Sequence, residues 1–226
     1  MGPLETSKTL PPSIHRFFHA VAAAEREWPW LLAACTAALL AGTILLDFKR
    51  PFWNDELFTF YISRQPTLHD VWRTLLTGAE QVPPSFFAIV RSFTSVLGEN
   101  KVGYRLPETL GFVVMSVSAF FFVRRRTSTY FGLVAFMFPS LTAAYYYAYE
   151  ARAYGVVMGF SGLAVIFWQA AAEGRHRPLS LIGLMLSLAC AVSCHYYAIL
   201  IFFPSWSPKS CVCWGVNGLT SRCTRL

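Results

Sequence analysis

Two adjacent acids, Asp55 and Glu56, stand in "PFWNDELFTFY" (residues 51–61), among aromatic side chains and directly after an apolar run of bilayer length. A carboxylate at a membrane surface beside Trp53 and Phe58 is partly desolvated, which makes it a stronger base. Neighbouring residues on a helix point ~100° apart, so the two acids are expected to have different tasks. The competing reading is an interfacial helix cap with a solvated neighbour. A second constellation, "YYYAYEARAY" (145–154), sets Glu150 and Arg152 among Tyr145, Tyr146, Tyr147, Tyr149 and Tyr154. It reads as an aromatic belt with an ion pair, or as a carboxylate and a guanidinium facing a phosphate or sugar with tyrosines packed on sugar rings. "GAEQVPPSFF" (78–87) holds Glu80 ahead of a rigid Pro-Pro turn. His195 reads as an interfacial histidine, with metal ligation as the alternative.

These groups need a scaffold, and the composition names it. The 226 residues are 55% hydrophobic and 16% aromatic, with a mean hydropathy of +0.44. Charge-free blocks of ~20 residues match a ~30 Å hydrocarbon layer, and lipid demands that a backbone satisfy its own hydrogen bonds. The expected fold is therefore all-α, a polytopic membrane helical bundle. Spans are expected at about 28–46, 106–123, 129–149, 153–172 and 178–195, with the start of a sixth at 196–204. The net charge of +7 reflects arginine-rich turns, not a nucleic-acid partner. Arg124, Arg125, Arg126, Arg175 and Arg177 fall in short turns on one side, which the positive-inside rule places in the cytoplasm.

That orientation makes residues 1–27 a cytoplasmic segment with a short amphipathic helix, and 47–105 one large external loop. Within the loop, "TLHDVWRTLLTGAE" (67–80) and "PSFFAIVRSFTSVL" (84–97) carry apolar faces at helical spacing and are expected as juxtamembrane helices. The second is short for a span and carries Arg91 near its centre. Pro107 is expected in the first turn of its span, and Pro139 to kink the next one. None of the six cysteines forms a zinc-type CxxC pair. Asp55, Glu80, Glu150, Arg152 and His195 all map to the external face, whereas a transporter would place its ionisable groups near mid-membrane. Residues 205–226 lack periodicity and read as an atypical, frame-shifted tail.

Three stretches in order carry a family resemblance: "FWNDELFTFYIS", "PPSFFAIVRSF…LG…YRLPETLG" and "YEARAYGVVMGFSGLAVIFWQ". Over about residues 28–204 the chain resembles the C-type superfamily of membrane glycosyltransferases. It is most similar to the bacterial lipopolysaccharide-core galacturonosyltransferase-like branch, and more distantly to aminoarabinose transferases and protein O-mannosyltransferases. The resemblance implies a bacterial inner-membrane enzyme with its active face in the periplasm. It implies a polyprenyl-phosphate-linked sugar donor and a lipid, glycan or protein acceptor. It places Asp55 and Glu56 in a catalytic motif, and Glu150, Arg152 and Tyr154, with Trp53 nearby, at the donor's phosphate and sugar. A divalent metal on Glu80, Glu150 or His195 is a further implied means of holding the phosphate. Val82 stands where the family commonly has histidine or lysine. The alternatives are an inactive fragment of such an enzyme and a non-enzymatic membrane subunit or transporter.

Overall fold

The computed structural model describes residues 12–201, with side chains from residue 25. The described residues are helical and contain no strand. In chain order the α-helices are α1 (Pro12–Lys49), α2 (Asn54–Ser63), α3 (Leu68–Leu76), α4 (Pro84–Leu97), α5 (Lys101–Arg124), α6 (Thr129–Met137), α7 (Tyr154–Ala172) and α8 (Arg177–Cys194). Four segments are long and apolar enough to cross a bilayer: Glu25–Lys49, Lys101–Arg124, Tyr154–Ala172 and Arg177–Cys194. The expected helical membrane bundle is therefore the observed fold. Residues 1–11 and the expected tail at 205–226 lie outside the described residues.

Three boundaries differ from expectation. The amphipathic segment and the first span form one continuous helix, α1, with Pro29 inside it. Helix α5 starts at Lys101 because the Asn100 side chain accepts a hydrogen bond from Gly103 N at 2.9 Å. That cap puts Pro107 inside the helix, not in its first turn. The expected span 129–149 is broken: α6 stops at Met137, and 3₁₀ turns cover Phe138–Leu141 and Ala143–Ala148. Pro139 has no N–H to continue the α-helical ladder. The broken element still runs the length of the bundle. At one end Thr129 Oγ1 donates to Glu25 Oε2 at 2.7 Å; at the other the Thr109 hydroxyl donates to Ala148 O at 2.9 Å.

The parallel helices α5 and α7 pack at very close range. A Cβ on Gly155 or Gly159 would lie 2.6 or 2.7 Å from the backbone oxygens of Glu108 or Gly111. Two glycines four residues apart permit this approach, as small-residue stripes do in membranes. The two ends of the bundle are chemically distinct. One holds the turns with Arg124–Arg126 and Arg175–Arg177, the arginine end. The other holds residues 50–100, the loop end.

The loop has its own core. Ile62, Val71, Val82, Phe86, Phe87, Val90, Tyr104, Ala151 and Ala153 are buried together. Both expected amphipathic helices exist, as α3 and α4, and α2 precedes them. Arg91 has a structural task that explains its place in an apolar helix. Its Nη1 donates to Ser63 O at 2.7 Å and to Gln65 O, and its Nη2 to Pro66 O at 3.2 Å. It thus satisfies carbonyls that the end of α2 leaves without intrahelical partners.

Candidate active site at the loop end

The short α2 begins four residues after Arg50, and its first turn decides the fate of both acids. Glu56 turns inward and is buried. Its Oε1 accepts from Arg105 Nε (2.7 Å) and Ala151 N (2.8 Å), and its Oε2 from Arg105 Nη2 (2.6 Å) and Trp53 N (2.8 Å). The bond to Trp53 N closes the start of α2, half of a capping box. The other donors of Arg105 reach Asp47 O, Arg50 O and Pro51 O at 3.0, 3.2 and 2.9 Å. All five guanidinium N–H groups are thereby engaged, and α1, α2 and α5 meet at one side chain.

Asp55 turns the other way. It is exposed, and its carboxylate makes no hydrogen bond or ion pair within the described residues. The desolvation expected of it from its aromatic neighbours falls on Glu56 instead, because Trp53 and Phe58 are themselves exposed. The cap-and-solvated-neighbour reading thus describes the local geometry of the two acids.

Helix α2 also fixes the "EAR" segment. Glu56 holds Ala151 N, and Thr59, three residues on along the same helix face, donates its hydroxyl to Ala151 O at 2.7 Å. Ala151 is fully buried, so a small residue belongs there. Clamping the chain on both sides of Ala151 sets the flanking Glu150 on the wall of the cavity described below and Arg152 against Glu80. Arg152 Nη1 donates to Glu80 Oε2 at 2.6 Å and to the Asp55 backbone oxygen at 3.3 Å. Burial of Arg152 lowers its pKa, but the Glu80 hydrogen bond and charge outweigh this and hold it above the ordinary arginine value. Burial raises the Glu150 carboxyl, as do the charges of Glu56 and Asp55; Arg152 and Arg50 oppose them.

Helix α7, which follows this segment, has no side-chain cap from its own N-cap residue. Glu108 of α5 supplies one from across the close contact: its Oε2 accepts from Val156 N at 2.8 Å. That oxygen takes one of the N–H groups that the first turn of α7 leaves without an intrahelical partner. Tyr154, the first residue of α7, packs its ring in tilted contacts 4.7 Å from Tyr147 and 5.3 Å from His195. Burial, then the Arg152 charge, depress the His195 pKa.

A polar cavity of about 90 Å³ opens beside this network, lined by Arg50, Pro51, Phe52, Trp53, Glu56, Arg105, Tyr146, Tyr149 and Glu150. The structure thus gathers every residue picked from the sequence at the loop end. Trp53, Glu56 and Glu150 share the cavity; Glu80 and Arg152 are bonded; the Tyr154 and His195 rings are in contact; Asp55 is exposed beside them.

Glu80 and His195, two of the residues expected to hold a metal, are engaged with other partners in this structure. Glu80 is paired to Arg152 and its Oε1 accepts from Gln81 N at 3.0 Å. His195 Nδ1 accepts from Tyr197 N at 3.2 Å, which leaves the proton on Nε2. Among the described residues, no three His, Cys, Asp or Glu side chains converge as a ligand set.

Sequence reading assigned no role to Arg50, Asp47, Arg105 or Glu108. For the last three the signal was present: each is an ionisable residue inside a membrane-length helix, which marks a functional or paired group.

Fold and site define an integral-membrane helical protein whose candidate site residues gather at the loop end of the bundle. The family follows from the sequence match. Residues 81–206, more than half of the chain, match the family model described as dolichyl-phosphate-mannose-protein mannosyltransferase. The chain belongs to that family of C-type membrane glycosyltransferases. The matched region holds Arg105, Glu108, Glu150, Arg152 and His195; Asp55 and Glu56 precede it. No curated protein and no solved structure matches the chain.

Proposed function

We propose that this chain moves a sugar from a polyprenyl-phosphate donor to a hydroxyl acceptor, with inversion, on the outer (periplasmic) face of a bacterial inner membrane. The observation that carries the reading is the split between the adjacent acids. Glu56 is fully engaged as an anchor, while Asp55 stands free beside a guanidinium that bonds its own backbone.

Asp55 is the base. It takes the proton of the acceptor hydroxyl as that oxygen attacks the anomeric carbon. The bond from that carbon to the phosphate oxygen breaks on the opposite side, and the lipid phosphate leaves with the electron pair. A phosphate is a good leaving group, so no strong acid is needed on its side, only positive charge. Arg152 supplies that charge by turning from Glu80 to the phosphate. Glu56 and Glu108 are positioning residues: one fixes Ala151 and the other the start of α7, and Arg152 lies between. The tyrosines at 145–149 and 154, with Trp53, give flat apolar faces for sugar rings.

The test is transfer of a labelled sugar from polyprenyl phosphate in membranes carrying the full chain. Labelled product with inverted configuration supports the reading. Uptake that follows the membrane potential, without product, would replace it with transport.

A further inference from the structure

Arg50 follows the last residue of α1, where the membrane-length segment ends and the cavity begins. Two arginines line that cavity, and they differ in one respect. Arg105 has every donor engaged. The Arg50 side chain has no carboxylate within ion-pair distance and makes no hydrogen bond among the described residues. Its guanidinium carbon instead lies 4.8 Å from the centre of the Tyr149 ring and 5.3 Å from that of Tyr146.

A cation over an aromatic ring is held by the ring's quadrupole and commits no N–H to a hydrogen-bond acceptor, so the N–H donors of Arg50 stay unengaged. Tyr149 is also 5.4 Å from Tyr145 and 5.5 Å from Tyr146, so the support is a packed aromatic cluster. Glu150 lines the same cavity and is still not paired with Arg50. The cavity therefore presents, at the end of the membrane-length segment, a guanidinium with no bonded carboxylate, in a site where Arg105 and Arg152 already hold carboxylates.

We propose that Arg50 is an anion-binding residue for the phosphate of a prenyl-chain lipid, taking two phosphate oxygens along its open N–H edge. This rests on the donor reading above and adds a phosphate contact from α1, opposite in sequence to Arg152. Planar bidentate recognition of a phosphate is what distinguishes a guanidinium from an ammonium. The Arg50 backbone oxygen, not its side chain, bonds Arg105. Side-chain substitution therefore leaves the buried network in place.

The experiment measures binding of undecaprenyl phosphate to the detergent-solubilised full chain by native mass spectrometry, with the matching prenol and phosphatidylglycerol as comparison lipids. Arg50→Ala should weaken undecaprenyl phosphate by about 10- to 100-fold, the range that charge-assisted hydrogen bonds carry. Arg50→Lys should recover part of the loss, and prenol binding should not change. Unaltered phosphate binding in Arg50→Ala overturns the assignment. So does an equal loss for phosphate and prenol, which would mean the site had been deformed. Equal, Arg50-dependent binding of phosphatidylglycerol would reassign Arg50 to bulk lipid. If the unsubstituted chain transfers sugar while Arg50→Ala keeps its affinity, the donor reading survives and only Arg50 is excluded. If the unsubstituted chain binds no undecaprenyl phosphate, both fall.

Discussion

Glu56–Arg105 and Glu80–Arg152 are the same pair of ions at the same closest separation, 2.6 Å, in different surroundings. In the first pair the side chains are 1% and 2% exposed, in the second 14% and 14%. The first guanidinium has five protein partners; the second is bonded to one carboxylate oxygen and one backbone oxygen. The difference teaches what each pair is for. A fully satisfied buried pair holds one geometry, since losing a partner strands a charge away from water. A pair at the edge of the site, joined through one carboxylate oxygen, leaves guanidinium donors over that a substrate phosphate could take. In the proposed mechanism, one pair builds the site and the other operates in it.

The contrast is broken most severely by Glu56→Ala. It leaves the Arg105 guanidinium buried and uncompensated and removes the acceptors of Ala151 N and Trp53 N. Losing one partner of a buried pair costs about 3–5 kcal/mol, a large part of the 5–15 kcal/mol that holds a typical domain folded. Thermal unfolding in detergent should show the loss, and Glu56→Ala with Arg105→Met should recover some of it. A Glu56→Ala chain with unshifted unfolding would mean that the network is not an anchor.

Asp55→Asn comes next and acts on rate. It keeps the size of the side chain and removes the base, so turnover should fall by about 10²- to 10⁴-fold with unfolding unchanged. Near-normal turnover would take the base role away from Asp55. Arg152→Lys is smaller again. A point ammonium replaces a planar fork, so the KM for donor should rise by about tenfold while kcat changes less. A fall in kcat at constant KM would argue for a role in the chemical step and against ground-state phosphate binding.

Much of this was legible in the sequence because membranes impose simple rules. Block length and the arginine turns give the bundle, and the paired acids, "EAR" and Glu80 do converge. The parts that were not legible depend on long-range partners. That Glu56 faces in and Asp55 out follows from Arg105, forty-nine positions away. That residues 129–149 are not one helix follows from Pro139 acting where a tyrosine run can finish the crossing in 3₁₀ turns. Nothing near Arg50 in the sequence marks it, because the rings that hold it lie nearly a hundred residues further on.

The smallest expected effect is on pH dependence, at the residue between the two pairs. Glu150 is 7% exposed, and burial, with the charges of Glu56 and Asp55, raises its carboxyl above the ordinary glutamate value. A raised value means that the folded chain binds this proton more tightly than the unfolded chain does. The contribution of Glu150 to stability is therefore fully present below the unfolded glutamate value and is lost as pH rises through the raised folded one. Glu150→Gln cannot ionise, so it should remove that slope and leave a chain that melts at the same temperature or higher at neutral pH. Comparing the two chains across one pH series cancels every group they share. Parallel melting curves would show that Glu150 ionises as easily in the cavity as in water. The cavity would then be more open than the Glu56–Arg105 anchor makes it, and the contrast between the two pairs would narrow.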